Sequence, residues 1–121
     1  MGTLSSTLTL TSSDVLSDAL NVTDTDSLTT AGDVLSTKIA TSTTAAVFLA
    51  AADYGKSYVF LKNTSSTTAE RIDIRATAGG TDIMQLGAGE YAFFPWAGSH
   101  DLAYDAASGT PVLEVMLFEV A

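Results

Sequence analysis

The sequence of 121 residues contains no cysteine, only two prolines and only five basic residues. Without cysteine there are no disulfides and no thiolate metal sites, so stability must come from packing or from assembly. The five basic residues stand against fourteen acidic ones, which gives a net charge of −9 at pH 7. Because binding to nucleic acid or anionic lipid draws on clustered lysine and arginine, we expect neither nucleic acid nor a membrane as a partner.

Long apolar runs are missing as well. The longest, residues 45–52, is rich in alanine and ends at Asp53, far short of the ~20 residues that cross a membrane. The first residues, MGTLSS, have no basic region followed by an apolar one, which argues against a cleaved signal peptide. The hydrophobic fraction of 46% is too high for a disordered chain, so we expect one domain over residues 1–121.

What the sequence does contain is alternation with a period of two residues, which is typical of strands with one buried face. Leucine alternates with threonine in residues 3–11, and similar patterns over residues 20–30 and 34–39 predict two more strands. Turns are expected at residues 12–14 and 31–33. Residues 57–63 (SYVFLKN) are largely apolar on both faces, which predicts a central strand.

Further strands are predicted toward the C-terminus. A turn at residues 78–81 (AGGT) joins residues 70–77 and 82–86 in a hairpin, and residues 102–104 and 112–120 form two more strands. Residues 42–52 are ambiguous between strand and helix. The sum is about eight or nine short antiparallel strands, which predicts an all-β sandwich or jelly roll.

Residues 87–96 (GAGEYAFFPW) are the most distinctive stretch, with two glycines, four aromatic residues and a proline. The glycines permit a turn with positive φ, and residues 91–94 have the aromatic content of a strand. Pro95 is expected to end that strand because it lacks an N–H donor. We expect one of Phe93 and Phe94 to enter the core, the other to lie at a sheet or subunit contact, and Trp96 to mark the rim.

Several residues could carry chemistry, and each has a plainer interpretation. His100-Asp101 lacks a recognisable nucleophile, and a histidine in such a turn is more often solvated. Asp24 and Asp26 could hold calcium, but the spacing of a calcium loop is missing and a solvated turn is favoured. Asn21 and Asn63 begin glycosylation tripeptides, which chance also produces in a chain rich in serine and threonine.

Two sugar-directed interpretations also arise. Glu70 and Glu90 could act as an acid–base pair, although nothing in the sequence fixes their separation. Aromatic residues could form a sugar-stacking platform instead, while the alternative is that they fill the core and rim of a small sandwich. The platform candidates are Tyr54, Tyr58, Tyr91, Trp96 and Tyr104. We therefore predict no catalytic, cofactor or metal site, and no enzyme activity.

Three segments of the chain resemble a known class of protein: residues 54–64 (YGKSYVFLKNT), residues 87–96 and residues 108–114 (SGTPVLE). In these segments the chain resembles small virion structural proteins of tailed bacteriophages, marine and cyanobacterial phages in particular. The resemblance implies a β protein present in many copies, such as a capsid cement or decoration protein on the virion surface, made in the bacterial cytoplasm. A neck or tail-fibre subunit with a receptor- or sugar-binding role is the alternative.

The expected partners are the major capsid protein and further copies of the chain, as a homotrimer. The threonine-rich strands of residues 1–30 suit strand addition to a capsid or to a neighbouring subunit, so this part is an expected assembly segment. The candidate interface residues are Leu8, Leu10, Tyr91, Phe93, Phe94 and Trp96.

Overall fold

The computed structural model describes residues 2–120, except for residues 31–33, and the described chain consists of strands, turns and loops without a helix. The described residues therefore contain no helix that could span a membrane. The strands over this part of the chain are β1 (Gly2–Ser12), β2 (Leu20–Ala40), β3 (Ala46–Leu49), β4 (Ser57–Asn63), β5 (Ile72–Arg75), β6 (Asp82–Leu86), β7 (Tyr91–Trp96), β8 (Leu102–Ala106) and β9 (Val112–Val120). The predicted all-β sandwich is confirmed, and the ambiguous residues 42–52 contain a strand.

The strands form a five-stranded sheet, in the order β1-β2-β9-β4-β7, and a four-stranded sheet, in the order β3-β8-β5-β6. Four antiparallel strand pairs are nested one outside the other around the turn before β6. From the innermost outward they are β5 with β6, β4 with β7, β3 with β8 and β2 with β9. Strands β2 to β9 are thus one long hairpin rolled over two sheets, which is the topology of a jelly roll.

The core lies between the two sheets and follows the alternation of the strands. In β4, Val59 and Leu61 are fully buried, while Tyr58 and Phe60 point away from the core and Lys62 is exposed. Strand β4 lies between β9 and β7, so the predicted central strand is confirmed. The buried hydrophobic cluster consists of Leu49, Val59, Leu61, Ile72, Ile74, Leu86, Trp96, Leu102, Leu113, Val115 and Leu117.

The N-terminal third differs from the three separate strands that the pattern predicts. β1 pairs along its whole length with the first half of β2, from Leu20 to Thr30, and the second half of β2 pairs with β9. The register on β9 shifts between Thr30 and Val34. The turn predicted at residues 31–33 falls outside the described residues. The first half of β2 and β1 form a two-stranded ribbon, which we call the arm.

The predicted turn at residues 12–14 begins a longer exposed loop that closes the tip of the arm. Ser12 Oγ accepts hydrogen bonds from the N–H groups of Asp14 and Val15, at 3.3 and 3.2 Å. Eleven paired residues at about 3.3 Å each make the arm roughly 35 Å long.

Strand β7 also departs from the expectation. It continues through Pro95, which lies opposite Tyr58, so the prediction that this proline ends the strand was wrong. The physical reason is position: β7 is the last strand of its sheet, where a missing N–H on the free side breaks no ladder. Gly89, with a φ of 77°, supplies the positive φ expected of the preceding turn.

Candidate functional site

The outward face of the five-stranded sheet is unusually aromatic. Cross-strand pairing places Tyr58 between Phe118 and Pro95, and Phe60 between Met116 and Phe93. One row further along, Lys62 lies between Glu114 and Tyr91. Since paired residues share a face, these rows form one continuous surface on the side away from the core. We call this surface the aromatic face.

The rings on the aromatic face contact one another in pairs. The centroids of Tyr58 and Phe93 are 5.8 Å apart, and those of Phe60 and Tyr91 are 6.2 Å apart. Tyr91 remains 62% exposed and Phe93 39% exposed. Rings held in place by their neighbours yet open to solvent lose little conformational freedom when a partner covers them, which suits them to act as binding anchors.

The arm has two chemically different faces, because its pairing keeps odd-numbered and even-numbered residues apart. The odd-numbered face carries only hydroxyl and amide side chains: Thr3, Ser5, Thr7, Thr9, Thr11, Asn21, Thr23, Thr25, Ser27 and Thr29. The even-numbered face holds every leucine and valine of the ribbon: Leu4, Leu8, Leu10, Leu20, Val22 and Leu28. We call these the hydroxyl face and the leucine face. Leu8 and Leu10 are each 47% exposed.

A cleft of about 650 Å³ separates the arm from β7. Leu8, Asp24 and Asp26 line it on the arm side, and Tyr91 and Phe93 line it on the other. The arm and β7 lie at opposite edges of the same sheet, so a shared cleft requires the arm to turn back over the aromatic face. The cleft therefore combines exposed rings, exposed leucine and two carboxylates.

The six candidate interface residues divide between the two sides of the sheet. Leu8, Leu10, Tyr91 and Phe93 are exposed, in line with the expectation. Phe94 points the other way and packs against the core, so the prediction that the two phenylalanines lie on opposite faces is confirmed.

Trp96 needs a correction. It is part of the core cluster and only 7% exposed, so it does not mark a rim that a partner could reach. The cause is alternation: β7 continues through Pro95, and Trp96 then follows Phe94 onto the inward face.

The remaining sequence candidates do not converge on one site. His100 lies exposed in a turn, and Asp101 Oδ1 accepts the N–H of Ala51 at 2.6 Å, which fixes the loop after β3. The aromatic candidates are split, because Tyr58 and Tyr91 lie on the aromatic face while Tyr104 packs with the core.

Asn63 has a structural role that its tripeptide does not reveal. It is fully buried, its Nδ2 donates to the carbonyls of Glu70 and Leu86 at 2.8 and 3.0 Å, and its Oδ1 accepts the N–H of Ser65. A side chain in these contacts is closed to glycosylation, whereas Asn21 is exposed on the arm.

The glutamates that could have formed an acid–base pair are each engaged locally. Glu70 Oε1 accepts the hydroxyl of Ser65 at 2.8 Å, and Glu90 Oε1 accepts the N–H of Gly87 within its own turn. Both contacts order loops next to their own strands. Neither brings the two carboxylates together.

An ion-pair network lies on the outward face of the four-stranded sheet. Arg75 contacts Asp82 at 2.6 Å and Asp105 at 2.7 Å, and Arg71 contacts Asp73 at 2.8 Å. The hydrogen bond from Arg75 lowers the pKa of Asp82, and the hydrogen bond to Asp73 raises the pKa of Arg71. The alternating charges of residues 71–75 were the signal for this network, but its partners from β6 and β8 come from the fold.

Within residues 2–120 as described, no three histidine, aspartate or glutamate side chains are grouped so as to hold a metal ion. Asp24 and Asp26 are exposed as predicted, but they lie within β2 on the leucine face of the arm, so the prediction that they form a turn was wrong. Comparison of the chain with protein-family models, with curated proteins and with solved structures gives no match.

Proposed function

We propose that the chain is a non-enzymatic structural protein of a tailed-bacteriophage virion. It acts as a capsid cement or decoration protein, made in the bacterial cytoplasm and bound on the outside of the shell. The observation that carries the proposal is the aromatic face, with Tyr91 and Phe93 exposed beside the arm. Exposed apolar surface of this kind, rimmed by polar residues, marks protein–protein contacts.

The partner in this proposal is the major capsid protein. Binding buries the exposed parts of the rings, and each square ångström of apolar surface removed from water contributes about 25 cal/mol. A single copy needs only modest affinity, because a shell offers many equivalent junctions and each bound copy adds contact area between capsid subunits. The result is mechanical resistance to internal pressure rather than a chemical step.

The proposal also includes contacts between copies of the chain, as a homotrimer. Half-exposed Leu8 and Leu10 on the arm are the support for such contacts, because a two-stranded ribbon has no core of its own to bury them. Light scattering at micromolar concentration tests this part directly. A mass equal to a multiple of three chains supports it, and a monomeric or dimeric mass argues against a trimer in solution.

A tail-fibre or neck subunit with a receptor- or sugar-binding role is the second candidate, and the cleft favours it. Aromatic rings beside hydroxyl and carboxylate groups are the usual components of a sugar site, and Tyr91, Phe93 and Asp24 supply them here. Trp96, the largest ring, is buried and takes no part.

The experiment that separates these candidates starts from the phage that encodes the chain. Its gene is deleted, the particles are heated or osmotically shocked, and purified protein is added back. We expect the particles to leak DNA at lower temperature without the protein and to recover with it. Localisation of the protein by cryo-EM then distinguishes a shell position from a neck or fibre position.

A pair of double variants makes the test specific. Tyr91→Ser with Phe93→Ser removes the exposed rings of the aromatic face, while Val47→Ser with Ile83→Ser removes two exposed apolar residues from the four-stranded sheet. The first pair should fail to restore the particles and the second should restore them. Equal rescue by both pairs would show that the aromatic face is not the contact with the capsid. Binding of the unmodified protein to a specific glycan on an array, abolished by the first pair and kept by the second, would argue for the alternative.

A further inference from the structure

Strand β1 presents a long free edge without any feature that blocks pairing. It has 11 residues, carries no charge and no proline, and keeps a continuous register on β2. Natural proteins usually protect such an edge with charged residues, proline, a bulge or a short length. The backbone N–H and C=O groups along this edge are therefore available to another strand.

The other sheet edges of the described chain are protected. β7 has six residues and contains Pro95, β3 has four residues, and β6 has five and begins at Asp82. The edge of β2 that faces away from β1 over Leu20–Thr29 is unpaired, but it carries the charged residues Asp24 and Asp26. Short length, proline or charge therefore makes each of these edges a poor acceptor for an incoming strand. Of the described edges, β1 is the one built to accept a full-length strand.

The lack of charge on β1 makes this strand the place where two copies repel each other least. The chain has a net charge of −9, and copies repel each other wherever their acidic residues meet. β1 itself carries no acidic residue, and the nearest carboxylates, Asp24 and Asp26, lie on β2, one strand away from the contact.

The sequence of β1 is also close to symmetric about its middle residue, Thr7. Antiparallel pairing about Thr7 overlaps the two strands completely and matches leucine with leucine and hydroxyl with hydroxyl at most positions. The residues placed opposite each other are Leu4 and Leu10, Ser6 and Leu8, Ser5 and Thr9, Thr3 and Thr11, and Gly2 and Ser12. A foreign strand would need to reproduce this pattern, whereas a second copy already carries it.

We infer that two copies of the chain associate through their β1 strands, antiparallel and centred on Thr7, so that the two arms form one four-stranded sheet. Its hydroxyl faces are continuous on one side and its leucine faces on the other. Pairing adds about ten backbone hydrogen bonds and converts two marginal ribbons into a sheet of independently stable size. The contact has two-fold symmetry, so in a homotrimer it would join one trimer to another. The inference does not depend on a role in the virion.

Single cysteines test the pairing, because the chain has none of its own. In the inferred register the two Thr7 residues face each other with Cα atoms about 5 Å apart, within the span of a disulfide. Under mild oxidation Thr7→Cys should give a covalent dimer in high yield. Thr25→Cys is the matched control, on the same face but on β2, and its copies would be about 14 Å apart. It should stay monomeric on a denaturing gel.

The register and the direction are tested with Thr3→Cys and Thr11→Cys. Mixed together they should form a heterodimer, and each alone should form little dimer. Dimers of each alone would indicate parallel pairing, and crosslinking of Thr25→Cys as efficient as that of Thr7→Cys would indicate random collision. Either result, or an absence of dimer from Thr7→Cys, overturns the inference.

A non-covalent measurement completes the test. Thr7→Lys places two like charges opposite each other at the centre of the contact, where they oppose pairing. Sedimentation of the unmodified chain should show association into dimers or multiples of dimers, and Thr7→Lys should lose it while keeping the circular dichroism of the folded chain. Thr25→Lys should associate like the unmodified chain. An equal loss in both lysine variants counts against the edge contact.

Discussion

The guanidinium of Arg75 donates to the carboxylate of Asp82, with Nε 2.6 Å from Oδ1, across the hairpin of β5 and β6. The contact joins the two ends of the turn around which the jelly roll is wound. Arg75 also reaches Asp105 on β8, so one side chain links three neighbouring strands of the four-stranded sheet.

This contact predicts a specific dependence of stability on acid. The hydrogen bond from Arg75 holds the pKa of Asp82 below its ordinary value of 3.8 in the folded protein. As pH falls, Asp82 is protonated in the unfolded chain before it is protonated in the folded protein. The contact therefore stabilises the fold above pH 3.8 and loses this effect as pH drops below that value. Arg75→Gln should therefore show a weaker decline of unfolding free energy below pH 4 in urea titrations.

A control variant isolates the pair from general acid effects. Lys38→Gln removes one positive charge from the other sheet and should keep the acid dependence of the unmodified chain. If Arg75→Gln and Lys38→Gln follow the same curve between pH 2.5 and 5, Arg75 does not stabilise the charged form of Asp82.

The buried amide of Asn63 predicts a larger effect. Asn63→Ala removes both donors to the Glu70 and Leu86 carbonyls and leaves these acceptors without their partner. Such losses cost about 1–3 kcal/mol for each group left unsatisfied. We expect at least about 2 kcal/mol less unfolding free energy by urea denaturation.

The exposed amide of Asn21 is the comparison. Asn21→Ala lies on the arm and should change stability by less than about 0.5 kcal/mol, as exposed substitutions do. Similar losses for both variants would mean that the hydrogen bonds of Asn63 contribute little.

Alanine substitutions at two glycines with nearly equal φ values distinguish the cost of backbone strain from the cost of a steric clash. Gly89 and Gly98 have φ values of 77° and 78°, but an added Cβ at Gly89 meets nothing, while one at Gly98 meets the carbonyl oxygens of Tyr54 and Gly55. Gly89→Ala should cost about 1 kcal/mol for the left-handed conformation alone. Gly98→Ala should cost about 1–3 kcal/mol more, because backbone must move.

Thermal or urea denaturation of the two alanine variants gives the difference. The conformational cost cancels between them, so the difference reports the contact of residue 98 with the loop at residues 54–55. Equal midpoints would show that this loop yields without cost.

Local patterns were sufficient for much of the sandwich. Alternation identified β4 and its two faces, and the glycine turn identified the β5–β6 hairpin, because both signals lie within a few residues of the structure they specify. The opposite orientation of Phe93 and Phe94 follows from the same period of two. These features required no knowledge of which strands pair.

Features that depend on strand order could not be predicted in this way. Pro95 is compatible with β7 only because β7 is an edge strand, and Trp96 is buried only because the strand continues through Pro95. The arm likewise has an ordinary strand pattern, and its isolation from the core follows from where β9 ends. The contacts of Asn63 and Arg75 join segments that the sequence keeps apart.

The separation of the arm from the jelly roll gives a further prediction. β1 and the first half of β2 pair only with each other over Leu20 to Thr29, while residues 34–40 of β2 keep their pairing with β9. Deleting residues 2–30 removes no member of the buried hydrophobic cluster. The shortened chain should therefore fold, with a thermal midpoint within about 5 °C of the full chain, equivalent to about 1 kcal/mol.

Trp96 reports the outcome, since it is the only tryptophan and lies in the core. Its emission should stay blue-shifted and poorly quenched by iodide in the shortened chain. Deleting β9 is the contrasting change, because it removes Leu113, Val115 and Leu117 and separates β2 from β4. That variant should expose Trp96 fully. If deletion of the arm exposes Trp96 to the same degree, the arm stabilises the sandwich itself and is not a separate element for assembly.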